Sequence, residues 1–251
     1  MNLLLDIGNT RVKWRLLNAA GEVLKNAAFS PDEEGIEDFL AQLQAVDVSS
    51  LWVAEVGNVF EPFALLTRIK AIFPTLVCHN IRSEAECLGV KNSYAEPYRL
   101  GVDRWLSAVE AWHASAGVPV AVFDFGTAAK LDVVAEGQHQ GGHIVPGLNM
   151  MRQALTQNTS KVRFQAQHSF EQGWGCSTAA AVENGTWVML MAWLERELQA
   201  FIDKYPAGEV YILGGDAEYF SQSQLLSTLN ERIHYADNLV LQALWRLVRN
   251  D

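Results

Sequence analysis

One six-residue pattern occurs twice in this chain. Leu5-Asp6-Ile7-Gly8-Asn9-Thr10 and Phe123-Asp124-Phe125-Gly126-Thr127-Ala128 both run apolar, Asp, apolar, Gly, polar, small. Each falls where one apolar run gives way to the next. A single copy is ordinary turn chemistry, because Asp and Gly are favoured wherever two strands are joined. Two copies at corresponding places in similar halves constrain the chain far more. They call for an α/β protein of two related lobes. Such a duplicated fold, closing on itself, would bring its two acidic turns face to face across a cleft, where ligands bind.

The rest of the pattern agrees. Residues 3–7, 12–17 and 23–28 read as strands, followed by a helix over 32–43, a strand over 50–56, a helix over 60–73 and a strand over 75–79. Residues 80–100 are irregular, and a helix follows over 102–116. A second strand-rich block, 118–125, 129–135 and 142–145, precedes helices over 148–158 and 177–205. A strand over 209–213 and further helices complete it. No low-complexity or Pro-rich linker separates the halves, so two tightly packed domains are expected, 1–117 and 118–251. The chain has 251 residues, 49% hydrophobic and 19% charged, ample for a sizeable core.

Charge excludes some functions. A net charge of −10 argues against a chain held to DNA, RNA or anionic lipid by bulk electrostatics. Cys78, Cys87 and Cys176 form no CxxC pair, so neither a zinc ribbon nor a disulfide framework is expected. The opening residues lack a basic n-region, and the longest apolar run, 187–194, is far short of a membrane span. A cytoplasmic protein is expected, with no nucleic-acid or membrane partner.

What remains is phosphate chemistry. Asp6 and Asp124 are hard oxygen donors, and Mg²⁺ takes one or two of these together with water and substrate phosphates. Gly8 and Gly126 let backbone approach a phosphate closely, and Asn9, Thr10 and Thr127 add short donors. Gly214-Gly215-Asp216, after the apolar run 210–213, would admit the adenosine end of a nucleotide, or would be a plain strand–turn–helix with Asp216 as cap. There is no Walker-type GxxxxGK[ST]. Asp103 and Arg104 open a helix after Gly101. They are a helix-start acid and a solvated base, or else the proton acceptor and fixed cation that phosphoryl transfer to an alcohol requires.

Taken in order, these motifs resemble the type III pantothenate kinases, which include the Bvg accessory factor proteins. Those belong to the acetate and sugar kinase/Hsp70/actin clan of duplicated ribonuclease-H-like folds. The resemblance runs from Asp6-Ile7-Gly8-Asn9-Thr10 through Tyr94, Pro97 and Gly101-Val102-Asp103-Arg104 to Asp124-Phe125-Gly126-Thr127-Ala128. It continues in Gly141-Gly142-His143-Ile144-Val145-Pro146-Gly147, Ser177-Thr178 and Gly214-Gly215-Asp216-Ala217. It implies ATP-dependent phosphorylation of pantothenate, the first step towards coenzyme A. Asp103 would be the general base and Arg104 would bind substrate and stabilise charge, with Tyr94, Gly101, Val102 and Thr178 as further substrate contacts. Asp6 and Asp124 would organise Mg²⁺. Asp6, Gly8, Asn9, Thr10, Gly126, Thr127, Gly214 and Gly215 would bind ATP. A homodimer and a monovalent cation, K⁺ or NH₄⁺, are also implied.

One position departs from the family pattern. Where x-Thr-x-Asp usually follows, this chain reads Ala129-Lys130-Leu131-Asp132. Lys130 would either point outward as a solvated strand residue or supply the charge that the monovalent cation otherwise brings, so dependence on that cation is in doubt. His143 is expected to be a strand residue and Cys176 inert. Trp187, Met189, Met191 and Trp193 are expected to pack in the core or in a dimer. The rival to an enzyme is a non-catalytic regulatory homologue acting through protein contacts, which loss of Asp6, Asp103 or Asp124 would favour. All three are present.

Overall fold

The computed structural model describes residues 1–8, 10–56, 62–158, 173–220 and 224–250. They fall into two units, Met1–His113 with Asn238–Asp251, and Ala114–Asp237.

The first unit runs β1 (Asn2–Ile7), β2 (Val12–Leu17), β3 (Val23–Phe29), α1 (Glu33–Leu43), β4 (Ser50–Glu55), α2 (Pro62–Ile72) and β5 (Val77–Ile81). The small hairpin of β6 (Glu86–Cys87) and β7 (Val90–Lys91) follows, then α3 (Val102–Ala114). Its sheet has the order β3-β2-β1-β4-β5, with β1 antiparallel to β2 and parallel to β4. Alternation sorts the side chains of β1 to the two faces. Leu3, Leu5 and Ile7 join Phe39, Leu40 and Leu43 of α1 and Leu65 and Ile69 of α2. Leu4 joins Trp52, Val102 and Leu106 on the other face. The stripe Ile36, Phe39, Leu40, Leu43 makes α1 amphipathic, and Asp32 starts it by accepting from the Gly35 amide at 2.8 Å.

The second unit repeats the plan. It consists of β8 (Val120–Phe125), β9 (Ala128–Ala135), β10 (Gln138–Pro146), α4 (Leu148–Asn158), α5 (Thr178–Lys204), β11 (Glu209–Leu213), α6 (Ala217–Phe220), α7 (Gln224–Leu229) and β12 (Ile233–Tyr235). Its strands run β10-β9-β8-β11-β12. As in the first unit, the first three strands of the unit are antiparallel and the last two add in parallel. Phe123 and Phe125 of β8 pack on Trp187, Leu190, Leu194, Leu198 and Phe201 of α5. Positions two apart on a helix lie on opposite sides. Trp187 is accordingly in the core while Met189 is 65% exposed.

The final helix, α8 (Leu239–Val248), belongs to the first unit. Leu241, Leu244 and Val240 lie in the cluster that holds Leu4 and Trp52, and the Glu110 carboxylate of α3 accepts from Arg246 Nε at 2.7 Å and Nη2 at 2.8 Å. The two units therefore divide at 113/114 and again at 237/238, where the sequence reading placed one division at 117/118. An amphipathic helix has the same pattern whichever sheet it covers, which is why the return of α8 does not show in its sequence. Smaller differences have local causes. The two-residue strands β6 and β7 are too short to show a period, and Gly141 and Gly142 mask the first half of β10. Positive φ at Ala116 and Gly117 ends the turn after α3. Among the described residues no helix is long and apolar enough to cross a membrane.

Candidate active-site residues

The two Asp-Gly turns are closed by the same device. Gly8 N–H donates to the Arg11 carbonyl at 3.1 Å, and Gly126 N–H donates to the Ala128 carbonyl at 3.2 Å. In each case the amide after the acidic strand end reaches across to the returning strand. The parallel extends to the register. Asp6 lies opposite Lys13 and Asp124 opposite Lys130. The carboxylates are nevertheless held differently. Asp6 Oδ2 accepts from Asn238 Nδ2 at 3.2 Å, whereas Asp124 Oδ2 accepts from Lys130 Nζ at 3.0 Å. Lys130 is thus no outward, solvated residue, since its side chain is only 22% exposed. Thr10 and Thr127 are exposed at their turns. Asn9, expected among the phosphate contacts, lies outside the described residues.

In the second unit the Gly-Gly turn comes against the Asp-Gly turn. Leu213 is paired with Asp124, and the Phe125 carbonyl accepts from Asp216 N–H at 3.0 Å. Gly214 has φ +104°, and a Cβ there would sit 2.2 Å from the Phe125 oxygen. Only glycine fits, for reasons of backbone packing. A Cβ at Gly215 would meet nothing within 4 Å, so Gly215 is the one of the pair that leaves room for a ligand. Gly147 was read only as part of a family motif and given no role of its own. Its N–H donates to the Thr127 carbonyl at 3.1 Å, and a Cβ there would lie 2.3 Å from the Gly126 oxygen. Its place at the end of Gly-Gly-His-Ile-Val-Pro-Gly was the available signal. His143 is in β10, with Nδ1 3.4 Å from Glu197.

The first unit assembles the segment from Tyr94 to Arg104. Asn92 staples it by accepting from the Tyr94 amide at 2.9 Å and donating to the carbonyls of Glu84 and Pro97 at 3.2 and 3.4 Å. Gly101 then caps α3, its carbonyl accepting from Trp105 N–H at 2.9 Å. Arg104 is 7% exposed and its Nη1 donates to the Tyr94 hydroxyl oxygen at 3.2 Å. The alternative of a solvated Arg104 fails, because the first turn of α3 faces the interior. Asp103 folds back over Gly101, so that a Cβ at Gly101 would stand 2.7 Å from its Oδ1. Val102 points into the apolar cluster with Leu4 and Trp52, so only its backbone is available to a substrate. Thr178 is exposed on the first turn of α5, in the other unit from Tyr94, Gly101, Asp103 and Arg104.

Asn238 is the residue that sequence reasoning missed. It is 5% exposed, its Oδ1 caps α8 through the Leu241 amide at 2.8 Å, and its Nδ2 binds Asp6. An Asn before an apolar helix signals a cap, but nothing local signals its second partner.

The donor set suits Mg²⁺. Among the described residues no group of three or more His, Cys, Asp or Glu forms an all-protein cage. Single carboxylates at strand ends, rather than a cluster of them, are what this ion uses when phosphates supply the other ligands. One oxygen of Asp124 already carries the Lys130 ammonium, which Asp6 has no counterpart to in its bond from Asn238.

Both units have the strand order of the ribonuclease-H-like half of the actin-like ATPase fold, the architecture of acetate and sugar kinases. The acetate kinase of Porphyromonas gingivalis, 10% identical, superposes with a TM-score of 0.54 over 99% of this chain and 98% of its own. A family model for type III pantothenate kinase matches residues 2–200. Type III pantothenate kinase of Ectopseudomonas mendocina (strain ymp) is 36% identical over 225 residues, 87% of this chain and 89% of that protein. That of Marinomonas sp. (strain MWYL1) is 35% identical over 240 residues, 95% and 91% of the two chains. The chain belongs to the type III pantothenate kinase family.

Proposed function

We propose that the protein transfers the γ-phosphoryl group of ATP to the primary hydroxyl of pantothenate, with Asp103 as proton acceptor. The observation that carries this reading is the fold of Asp103 over Gly101 beside a buried Arg104. The acceptor oxygen attacks the γ-phosphorus, the bond to ADP breaks, and the hydroxyl proton passes to the Asp103 carboxylate. A loose transition state needs that proton accepted only late, so a carboxylate, though a weak base, suffices. The Arg104 guanidinium, which donates to the Tyr94 hydroxyl, is the fixed cation that offsets the negative charge of the phosphate. Tyr94 and the Gly101 backbone shape the acceptor pocket, and Thr178 supplies a further hydroxyl. When bound, Mg²⁺ neutralises phosphate oxygens. Asp6 and Asp124 would hold it, with Gly8, Asn9, Thr10, Gly126, Thr127 and Gly215 against the nucleotide and Gly214 shaping the turn.

Lys130 supports a finer reading. Its ammonium meets the Asp124 carboxylate where the family is expected to use a monovalent cation, so turnover does not depend on K⁺. The exposed apolar pair Val188 and Met189 on α5 supports a homodimer, and the reading is of a cytoplasmic enzyme. Pantothenate-dependent release of ADP tests the activity. Asp103→Asn is expected to lose most turnover while still binding pantothenate, as seen by calorimetry. Near-normal turnover in that variant would remove Asp103 from the role of base. Absence of turnover in the unmodified protein would favour the regulatory reading.

A further inference from the structure

The main chain at Asp6 is held from both sides, in register with Lys13 of β2 and Ala54 of β4. That pairing sets the backbone and leaves the carboxylate to turn about its own side-chain bonds. What limits this turning comes from the other end of the chain.

Asn238 is 5% exposed and opens α8, in the same unit as Asp6. Its Oδ1 accepts from the Leu241 amide at 2.8 Å, and its Nδ2 donates to Asp6 Oδ2 at 3.2 Å. The two bonds depend on one another. A backbone N–H can meet only the oxygen of the side-chain amide, so the cap decides which way round the amide lies and turns its nitrogen towards Asp6. Serine and aspartate also cap helices well, but a serine hydroxyl is shorter and an ionised aspartate has no proton to give. Asparagine does both. The helix behind it is firmly seated, because Leu239, Val240, Leu241, Ala243 and Leu244 are all at most 4% exposed. A group carried on such an element holds its partner more narrowly than one carried on a loop. The donor is also neutral, whereas Asp124 meets an ammonium. A neutral donor orients a carboxylate without cancelling its charge.

We infer that Asn238 is a positioning residue for the magnesium–nucleotide site, setting the orientation in which Asp6 meets the cation carried with the phosphates. The nucleotide site thereby depends on the last helix of the chain. This rests on the reading of Asp6 as a Mg²⁺ ligand. Groups that orient a metal's ligands typically change its affinity by about 10- to 100-fold when removed.

The test uses the full chain with Asn238→Ser, which keeps the cap and loses the amide, and Ala243→Gly, which weakens the middle of α8 and leaves Asn238 in place. Calorimetry measures binding of a non-hydrolysable ATP analogue with Mg²⁺ and, separately, of pantothenate, while urea titration follows stability. Asn238→Ser is expected to weaken the nucleotide about tenfold, to leave pantothenate within about twofold, and to keep the unfolding midpoint near that of the unmodified chain. Ala243→Gly is expected to lower the midpoint while both ligands bind as before. A nucleotide affinity that Asn238→Ser leaves unchanged overturns the inference. So does a loss shared equally by pantothenate or by Ala243→Gly, since the amide then serves only the helix. The pantothenate reading fails separately, because a chain that binds the nucleotide but not pantothenate still tests Asn238 through the nucleotide and Ala243→Gly. An unmodified chain that takes up no magnesium nucleotide removes Asp6 from its role, and Asn238 with it.

Discussion

Replacing Lys130 by Met removes an ammonium held 3.0 Å from the Asp124 carboxylate. At an effective dielectric near 20, two unit charges at that distance attract by about 5.5 kcal/mol. The side chains are 22% and 27% exposed, so water and the cost of fixing a lysine offset most of this. A net loss of about 1.4–2.7 kcal/mol remains, which is roughly a 10- to 100-fold fall in kcat/KM for ATP. The assay is coupled ADP release with saturating pantothenate, in K⁺, in Na⁺ and in tetramethylammonium. If Lys130 takes the place of a bound cation, as proposed, the unmodified enzyme runs at rates within about twofold in all three. Lys130→Met is expected to be slow in tetramethylammonium and to recover in excess K⁺, which can reach the vacated carboxylate. Collapse of the unmodified enzyme on replacing K⁺ by tetramethylammonium would refute the reasoning, as would a Lys130→Met enzyme that K⁺ fails to rescue.

Gly101→Ala places a methyl group where Asp103 Oδ1 now lies, 2.7 Å away, and a carboxylate can swing aside at little cost to the fold. Its unfolding free energy should change by less than about 1 kcal/mol while kcat falls about 100-fold, measured by urea titration alongside turnover. Arg246→Met strands the Glu110 carboxylate, only 7% exposed, and should cost about 3 kcal/mol in the same titration. The double change with Glu110→Leu should recover most of that loss, and failure to recover would mean the pair is not the cause. Burial, helped by Glu84, pushes the Cys87 thiol up to about 11 from an ordinary 9.0. Stability from this group is therefore complete below pH 9.0 and is lost as pH rises through about 11, a slope that Cys87→Ser should remove. Iodoacetamide mapping at neutral pH should accordingly label the exposed Cys78 and Cys176 before Cys87.

What was legible in the sequence is what local chemistry determines. The repeated Asp-Gly turns could be read because a strand that ends in Asp and turns on Gly writes both residues into adjacent positions. The helices over 32–43 and 177–205 were readable for the same reason. The burial of Arg104 was not, because a charged residue at a helix start looks solvated until the face opposite it is known. Asn238 shows the limit most clearly. Its capping role is local, but its bond to Asp6 spans 232 positions and leaves no trace in either neighbourhood. Lys130 falls between these cases. Its departure from the family pattern was visible, whereas its direction required the antiparallel register that sets it opposite Asp124.

The return of α8 to the first unit has a consequence for how the protein is made. The face of the first sheet that carries Leu4 and Trp52 is completed by Leu241 and Leu244, which are synthesised only after the whole of Ala114–Asp237. At elongation rates of roughly 5–20 residues per second, that apolar face has α3 but lacks α8 for on the order of ten seconds. Over the same interval the Asp6 carboxylate waits for Asn238. The unit begun first is therefore the unit finished last, and the second unit can close on its own core while its predecessor is still waiting for α8.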